Sequence, residues 1–332
     1  MIKKRISKLR DKFLDFGIDG YIVPKNDEFF SEYSQKDRLK TISNFNGSAG
    51  FAIILKRQNY LFVDDRYTIQ AKIESGKEFK IINLSKIINC KLFKNLTLGL
   101  DPKLFTFKQI NNFFLKYNKI KEIKQNLIDL IYNKYQVNTK PFFSLDKKIV
   151  GESHSIKIKK TANFIKKNKS NYLFISAPEN VAWLLNIRGD DNPYSPIPNC
   201  RAILDSSKKI YLICDKTRAK NLIKEKKIDK INLVLPNDFD SFIKKLKKGK
   251  IIIDNKSCSI FYENILKKSF LVSKKNDPIY FMKSIKNKVE IKNMINSHIS
   301  DGVALTKFLY WIKNKNKKNI NEYQAQLKLE NF

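Results

Sequence analysis

Two short polar clusters hold the residue types best suited to chemistry. The first, Asp64-Asp65-Arg66-Tyr67, follows the apolar run Leu61-Phe62-Val63, so a buried strand ends in two acids and an arginine. A guanidinium at a strand end suits two-pronged binding of a carboxylate or a backbone carbonyl; its competing role is to pair with Asp64 or Asp65 and fix the turn. The second cluster is the stretch 186–198, whose Pro, Asp and Tyr content suits a loop lining a pocket. Other candidates fail on spacing. His154 and His298 have no companion at ligand spacing, no two cysteines form a C-x-x-C pair, and no D-x-D-x-D-G loop occurs, so no metal site is legible. Asn46-Gly47-Ser48-Ala49-Gly50 has Asn46 where a nucleophile elbow needs glycine. It also lacks the glycine and lysine pattern of a phosphate cradle, and reads as a tight turn before a strand at Phe51. Arg188-Gly189-Asp190 spells an adhesion tripeptide, which means little without an export signal.

The elements that must position these clusters come twice. Residues 6–16, an amphipathic stretch, lead into Gly20-Tyr21-Ile22-Val23-Pro24; residues 158–165 lead into Tyr172-Leu173-Phe174-Ile175-Ser176-Ala177-Pro178. Ala52-Ile53-Ile54-Leu55 then matches Ala202-Ile203-Leu204, and the strand ending in Asp64-Asp65-Arg66 matches Tyr211-Leu212-Ile213-Cys214-Asp215-Lys216-Thr217-Arg218. Leu98-Gly99-Leu100-Asp101 closes the first copy and Ile251-Ile252-Ile253-Asp254 the second. Order, residue type and an offset of about 150 agree throughout, which points to one duplicated unit. Each copy alternates helix and strand, the pattern of an α/β fold with helices packed on a sheet. Turns are expected at Asn46-Gly47 and Asp205-Ser206-Ser207, with unit ends near Lys140-Pro141 and Asp277-Pro278. Residues 289–312 have helical periodicity interrupted at Gly302, and Asn321 is placed to cap a second short helix. Some forty residues of helix cannot bury a core alone, so a third domain is expected to begin here.

Composition narrows the classes. At 42% hydrophobic and 12% aromatic residues the chain can fill cores, and its apolar runs are too short to span a bilayer. The N-terminal stretch lacks an apolar signal region, and Cys90, Cys200, Cys214 and Cys258 make no disulfide framework, so the expected setting is soluble and cytoplasmic. The net charge of +34 raises nucleic-acid binding, but the basic excess runs through all three thirds of the chain and only eight of the 66 basic residues are Arg. Lys cannot supply the planar fork that groove readers use, so the charge reads as a solvated surface and nucleic acid as an unlikely partner. The same bias makes each surviving Arg a position that Lys does not serve.

At these residues the chain resembles a known family. Val23-Pro24, Ser31-Glu32-Tyr33, Asp37 and Leu39, the stretch 42–50 and Phe62-Val63-Asp64-Asp65-Arg66-Tyr67-Thr68-Ile69-Gln70-Ala71 are similar to the first domain of the Xaa-Pro aminopeptidases. These belong to the creatinase/prolidase "pita-bread" metallopeptidases. The stretches 179–191 and 297–305 extend the resemblance over nearly the whole chain, in family order, to the three-domain form. It implies two tandem creatinase N-terminal-type domains, each a mixed sheet flanked by helices, at 1–140 and 141–285. Residues 286–332 are then the start of an incomplete pita-bread domain.

The implied activity is release of the N-terminal residue from peptides with proline in second position. Two divalent metals, usually manganese, would bridge a hydroxide that attacks the scissile carbonyl. The family's five metal ligands lie late in the catalytic domain and none is carried over to this chain, which is expected to be truncated, metal-free and inactive alone. Arg66 corresponds to a family substrate contact, with Tyr67 and residues 186–198 on the same rim. A peptide substrate, and a homodimer when full-length, are the implied partners. The alternatives are a non-catalytic peptide-binding module of the same superfamily, or non-specific nucleic-acid binding by the Lys-rich surface.

Overall fold

The computed structural model describes residues 2–31, 33, 36–87, 93–132, 135, 140–314 and 319–332; Glu32 and Cys90 lie outside these. The first six strands are β1 (Gly20–Pro24), β2 (Gly50–Leu55), β3 (Asn59–Val63), β4 (Lys80–Asn83), β5 (Thr97–Leu100) and β6 (Lys119–Glu122). They form one mixed sheet in the order β4-β3-β2-β1-β5-β6. After β7 (Phe143–Ser144) come β8 (Tyr172–Ile175), β9 (Ile187–Arg188), β10 (Arg201–Asp205), β11 (Ile210–Ile213), β12 (Leu233–Val234), β13 (Gly249–Ile253) and β14 (Phe270–Lys274). The second sheet runs β12-β11-β10-β8-β13-β14, the same topology, while β7 and β9 pair separately.

The apolar runs become strands buried on both faces. Every residue of β1 and of β3 is buried. Alternate side chains separate into two cores: Tyr21, Val23, Ala52 and Ile54 pack with the helix Ile2–Asp15, whereas Ile22, Ile53 and Phe62 pack with Leu98 and Leu100 on the other face. That helix buries Ile6, Leu9 and Phe13, one stripe at helical spacing. Its counterpart, His154–Lys167, buries Ile158, Thr161, Ala162 and Ile165 against the second sheet.

The Asp205 turn is present: Asp205 Oδ1 accepts the N–H groups of Ser207 and Lys209, at 2.8 Å each, closing the β10–β11 hairpin. Asn46-Gly47 has a different place. The β2–β3 hairpin turns at residues 56–58, with Leu55 N–H donating to Gln58 O at 2.8 Å. Gly47 instead lies between helix Arg38–Ser43 and β2, where a Cβ would come within 2.2 Å of the Phe45 ring and 3.0 Å of Tyr67 Cγ.

The last stretch is one helix, Lys288–Asn314, followed by Glu322–Glu330, which Asn321 caps through a bond from Gln324 N–H. Gly302 does not interrupt the first of these: a Cβ there would meet nothing within 4 Å, so exposure makes glycine tolerable. Neither helix has a buried residue, and Ile291, Ile295, Ile299, Leu305 and Leu309 are about half exposed. The long helix is tied to the second sheet's unit near its start, where Asn287 Nδ2 donates to Val150 O and Asn293 Nδ2 to Ile149 O. No helix among the described residues is long and apolar enough to cross a membrane.

Candidate functional site at the carboxyl end of the first sheet

Because β1 and β3 both run antiparallel to β2, their carboxyl ends emerge on the same side. β3 delivers Asp64 to a single 3-10 turn, Asp65–Tyr67, and then to helix Thr68–Ser75. Asp64 Oδ1 accepts the Arg66 N–H at 3.0 Å and Arg66 Nε–H at 2.8 Å, and Nη2 lies 3.4 Å from Oδ2. Those bonds hold the Asp64 carboxyl below the ordinary carboxylate range. The Arg66 side chain is 73% exposed, with its guanidinium 5.5 Å from the Tyr67 ring centre. The predicted turn-fixing pair and a presented guanidinium therefore coexist.

Tyr67 is half-buried and fixed from two sides. Its hydroxyl is 3.0 Å from Ser48 Oγ and its ring meets Phe45 edge-on at 5.8 Å. The 44–50 segment is thus the wall that positions Tyr67, and Ser48 is a hydrogen-bonding partner in that wall. Glu74, on the helix after Tyr67, accepts the Asn46 N–H at 2.7 Å and closes the same wall.

The second copy's arginine has the opposite fate. Arg218, in the helix Lys216–Lys224 that follows β11, is 5% exposed, bonds the Asp191 carboxylate and lies 4.6 Å over the Phe142 ring. Asp191 also accepts the Asn199 N–H at 2.7 Å, so this acid fastens the 186–198 loop to its own domain. The loop meets the first domain through Asn192, 2.7 Å from Ser31 Oγ, and through Tyr194, whose ring is 5.4 Å from that of Tyr33. Its contacts with the first domain are thus to the segment after β1.

Several interior charges had no local signal in the sequence. Arg38 is 1% exposed and donates at 2.7 Å to Glu28 Oε1 and to both oxygens of Asp129. Burial alone would raise the Glu28 carboxyl, but the Arg38 charge and hydrogen bond outweigh it and bring it down to about 2. Arg201 crosses between domains: its guanidinium sits 4.1 Å from the Phe29 ring centre and 4.4 Å from that of Tyr262, and it donates to Glu28 O. Ile260 completes the joint by entering the first domain's core and donating its N–H to Phe105 O at 2.8 Å. Lys157 donates to Asn186 Oδ1 at 2.7 Å and to Trp183 O, and burial lowers it to about 8.

Among the described residues no three His, Cys, Asp or Glu side chains come together as metal ligands.

Comparison with known proteins accounts for this arrangement. The creatinase/prolidase N-terminal domain family matches residues 5–129 and again residues 133–290. The chain carries two creatinase/prolidase N-terminal domains. The duplicated topology is thus two such domains in tandem. Over 99% of this chain, a probable Xaa-Pro aminopeptidase P of Laccaria bicolor is 30% identical, with 54% of that relative covered. Xaa-Pro aminopeptidase 1 of Dictyostelium discoideum is 30% identical over all of this chain, with 57% of its own length covered. An X-prolyl aminopeptidase of Caenorhabditis elegans, described as a cytosolic enzyme with a di-nuclear active site, superposes with a TM-score of 0.86 at 21% identity. That match covers 100% of this chain and 59% of the other. The chain therefore spans a little over half the length of these relatives.

Proposed function

We propose that these 332 residues are the N-terminal, peptide-positioning part of a metal-dependent Xaa-Pro aminopeptidase. The exposed Arg66 guanidinium, fixed by Asp64 beside a locked Tyr67, carries the reading. An exposed pair between near neighbours is weak, so a peptide carboxylate or carbonyl can take over part of the fork without a large cost. Relatives named Xaa-Pro aminopeptidase align with the entire chain and support the substrate class. In this reading the domains are 1–140 and 141–285, and residues 286–332 begin the catalytic domain. A cytoplasmic setting, manganese as the family metal and a homodimer of the full-length form belong to the same proposal.

The chain's own part is to bind and orient the peptide; without a catalytic domain it should not hydrolyse Xaa-Pro bonds. The test is Arg66→Lys in a form that carries a catalytic domain. Lys keeps the charge and loses the two-pronged geometry, so KM for short Xaa-Pro peptides should rise about tenfold with kcat nearly unchanged. An unchanged KM would remove Arg66 from the substrate site.

A further inference from the structure

The two domains enclose a cleft of about 400 Å³, bounded by Glu28, Phe29 and Lys103 of the first and by Arg201, Asp215 and Phe239 of the second, among others. It opens at the carboxyl ends of β11 and β12, which run parallel, beside the first residue of β10. The crevice outside strand carboxyl ends is where open α/β sheets usually take ligands. Four of its acids are already committed. Asp27 accepts the N–H groups of Phe29 and Ser31, Glu28 is held by Arg38, Asp191 by Arg218 and Asp240 by Lys244.

What remains open is asymmetric. Arg201 is 6% exposed and aligned between two rings; its contacts are the Tyr262 hydroxyl and the Glu28 carbonyl, with no carboxylate among them. Lys103 lies 5.0 Å over the Phe261 ring and likewise makes no ion pair among the described residues. Across the cleft, Asp215 precedes helix Lys216–Lys224 without a side-chain cap bond, and it forms no ion pair among the described residues. Arg201 stands opposite Ile213 in the ladder. Asp215 lies two residues beyond Ile213, past a bend at Cys214, and lines the same cleft. Ile213, Phe239 and Ile265 make the wall between them apolar.

We propose that this cleft binds a short α-amino-acid zwitterion, a free amino acid or dipeptide. Its carboxylate would meet Arg201 and Lys103, its ammonium Asp215, and its apolar side chain the Ile213–Phe239 wall. The termini of an extended dipeptide are about 6 Å apart, a length that a cleft of about 400 Å³ accommodates. This site is separate from the Arg66 rim and does not depend on the activity proposed above.

Calorimetric titration of the 332-residue chain with Leu-Leu, N-acetyl-Leu-Leu and Leu-Leu-amide tests it. Leu-Leu should bind about tenfold tighter than either blocked form. The surface variants Lys103→Gln and Asp215→Asn should each weaken it about tenfold while leaving thermal unfolding unchanged. Lys103→Gln should also lose discrimination against the amide, and Asp215→Asn against the acetyl form. No heat at about 10 mM Leu-Leu or leucine, equal binding of the blocked forms, or preference for inorganic phosphate would overturn the proposal. So would binding that Arg66→Ala abolishes and the two cleft variants keep, since that places the dipeptide on the rim.

Discussion

Replacing Arg38 by Met removes a cation bonded to both Glu28 and Asp129, while keeping a side chain of similar reach. The cost can be worked from Glu28. Its carboxyl is brought from 4.5 to about 2, which corresponds to about 3 kcal/mol of interaction at neutral pH. That agrees with the roughly 3–5 kcal/mol lost when one partner of a buried pair is removed. The sign follows from linkage: a depressed carboxylate stabilises the fold fully above its unfolded pKa, and this is lost as pH falls toward the folded value. The Glu28 contribution should therefore fall from about 3 kcal/mol at pH 7 to about 2 at pH 3.5. Urea unfolding followed by far-ultraviolet circular dichroism measures the change, since Trp183 and Trp311 both lie outside the first sheet. Hydrogen exchange should place the loss in Gly20–Pro24 and Arg38–Ser43, with the second sheet less affected. A cost below about 1 kcal/mol, or one identical at pH 7 and 3.5, would refute the reasoning.

Asp277 is predicted to act in the other direction. Burial raises its carboxyl to about 6, so folding favours the protonated form and stability should fall as pH rises from 4 to 6; Asp277→Asn should flatten that interval in denaturant titrations. Burial pushes up the thiols of Cys200, Cys214 and Cys258, so mass-spectrometric labelling at these three should wait for unfolding, and rapid labelling of the native chain would contradict the packing. Arg218→Lys should cost about 2 kcal/mol by loosening a buried charged hydrogen bond, whereas Arg66→Lys should leave thermal stability unchanged; equal effects would deny their different roles.

The duplicated topology was legible because strands buried on both faces must be written as continuous apolar runs, and each run recurs about 150 residues later. Caps are local and legible as well, as Asn321 and Asp205 demonstrate. The interior charges were not. Arg38 meets Asp129 from 91 residues away and Arg201 meets Glu28 from 173, separations that leave no periodic trace. Lys157 sits one residue before the amphipathic stretch that starts at Ile158, where periodicity alone gives a lysine to solvent. Asn46-Gly47 lies in the connection that leads into the strand at Phe51, and what its sequence did not disclose is that a Cβ at Gly47 would collide with the Phe45 ring beside Tyr67. One global clue did carry information: in a chain this biased to Lys, Arg38, Arg201 and Arg218 all occupy buried sites where a planar fork bonds oxygen or stacks on a ring.

The two copies differ most where they are most alike in position. Each presents an arginine just past its third strand in the duplicated order, after β3 and after β11. In the second copy that arginine lies in the helix Lys216–Lys224, where Asp191 bonds its guanidinium and the Phe142 ring lies against it. That commitment fastens the 186–198 loop, and the loop in turn reaches Ser31 and Tyr33 of the first copy. The second arginine thus serves the joint between domains, together with Arg201. The first stays in a 3-10 turn, bonded to Asp64 and beside the Tyr67 ring, with most of its side chain exposed. A duplicated strand end has therefore become one docking element and one presenting element. On the function proposed above, the contacts that Arg201 and the 186–198 loop make with the first copy would keep the Arg66 turn in a set place relative to a bound peptide.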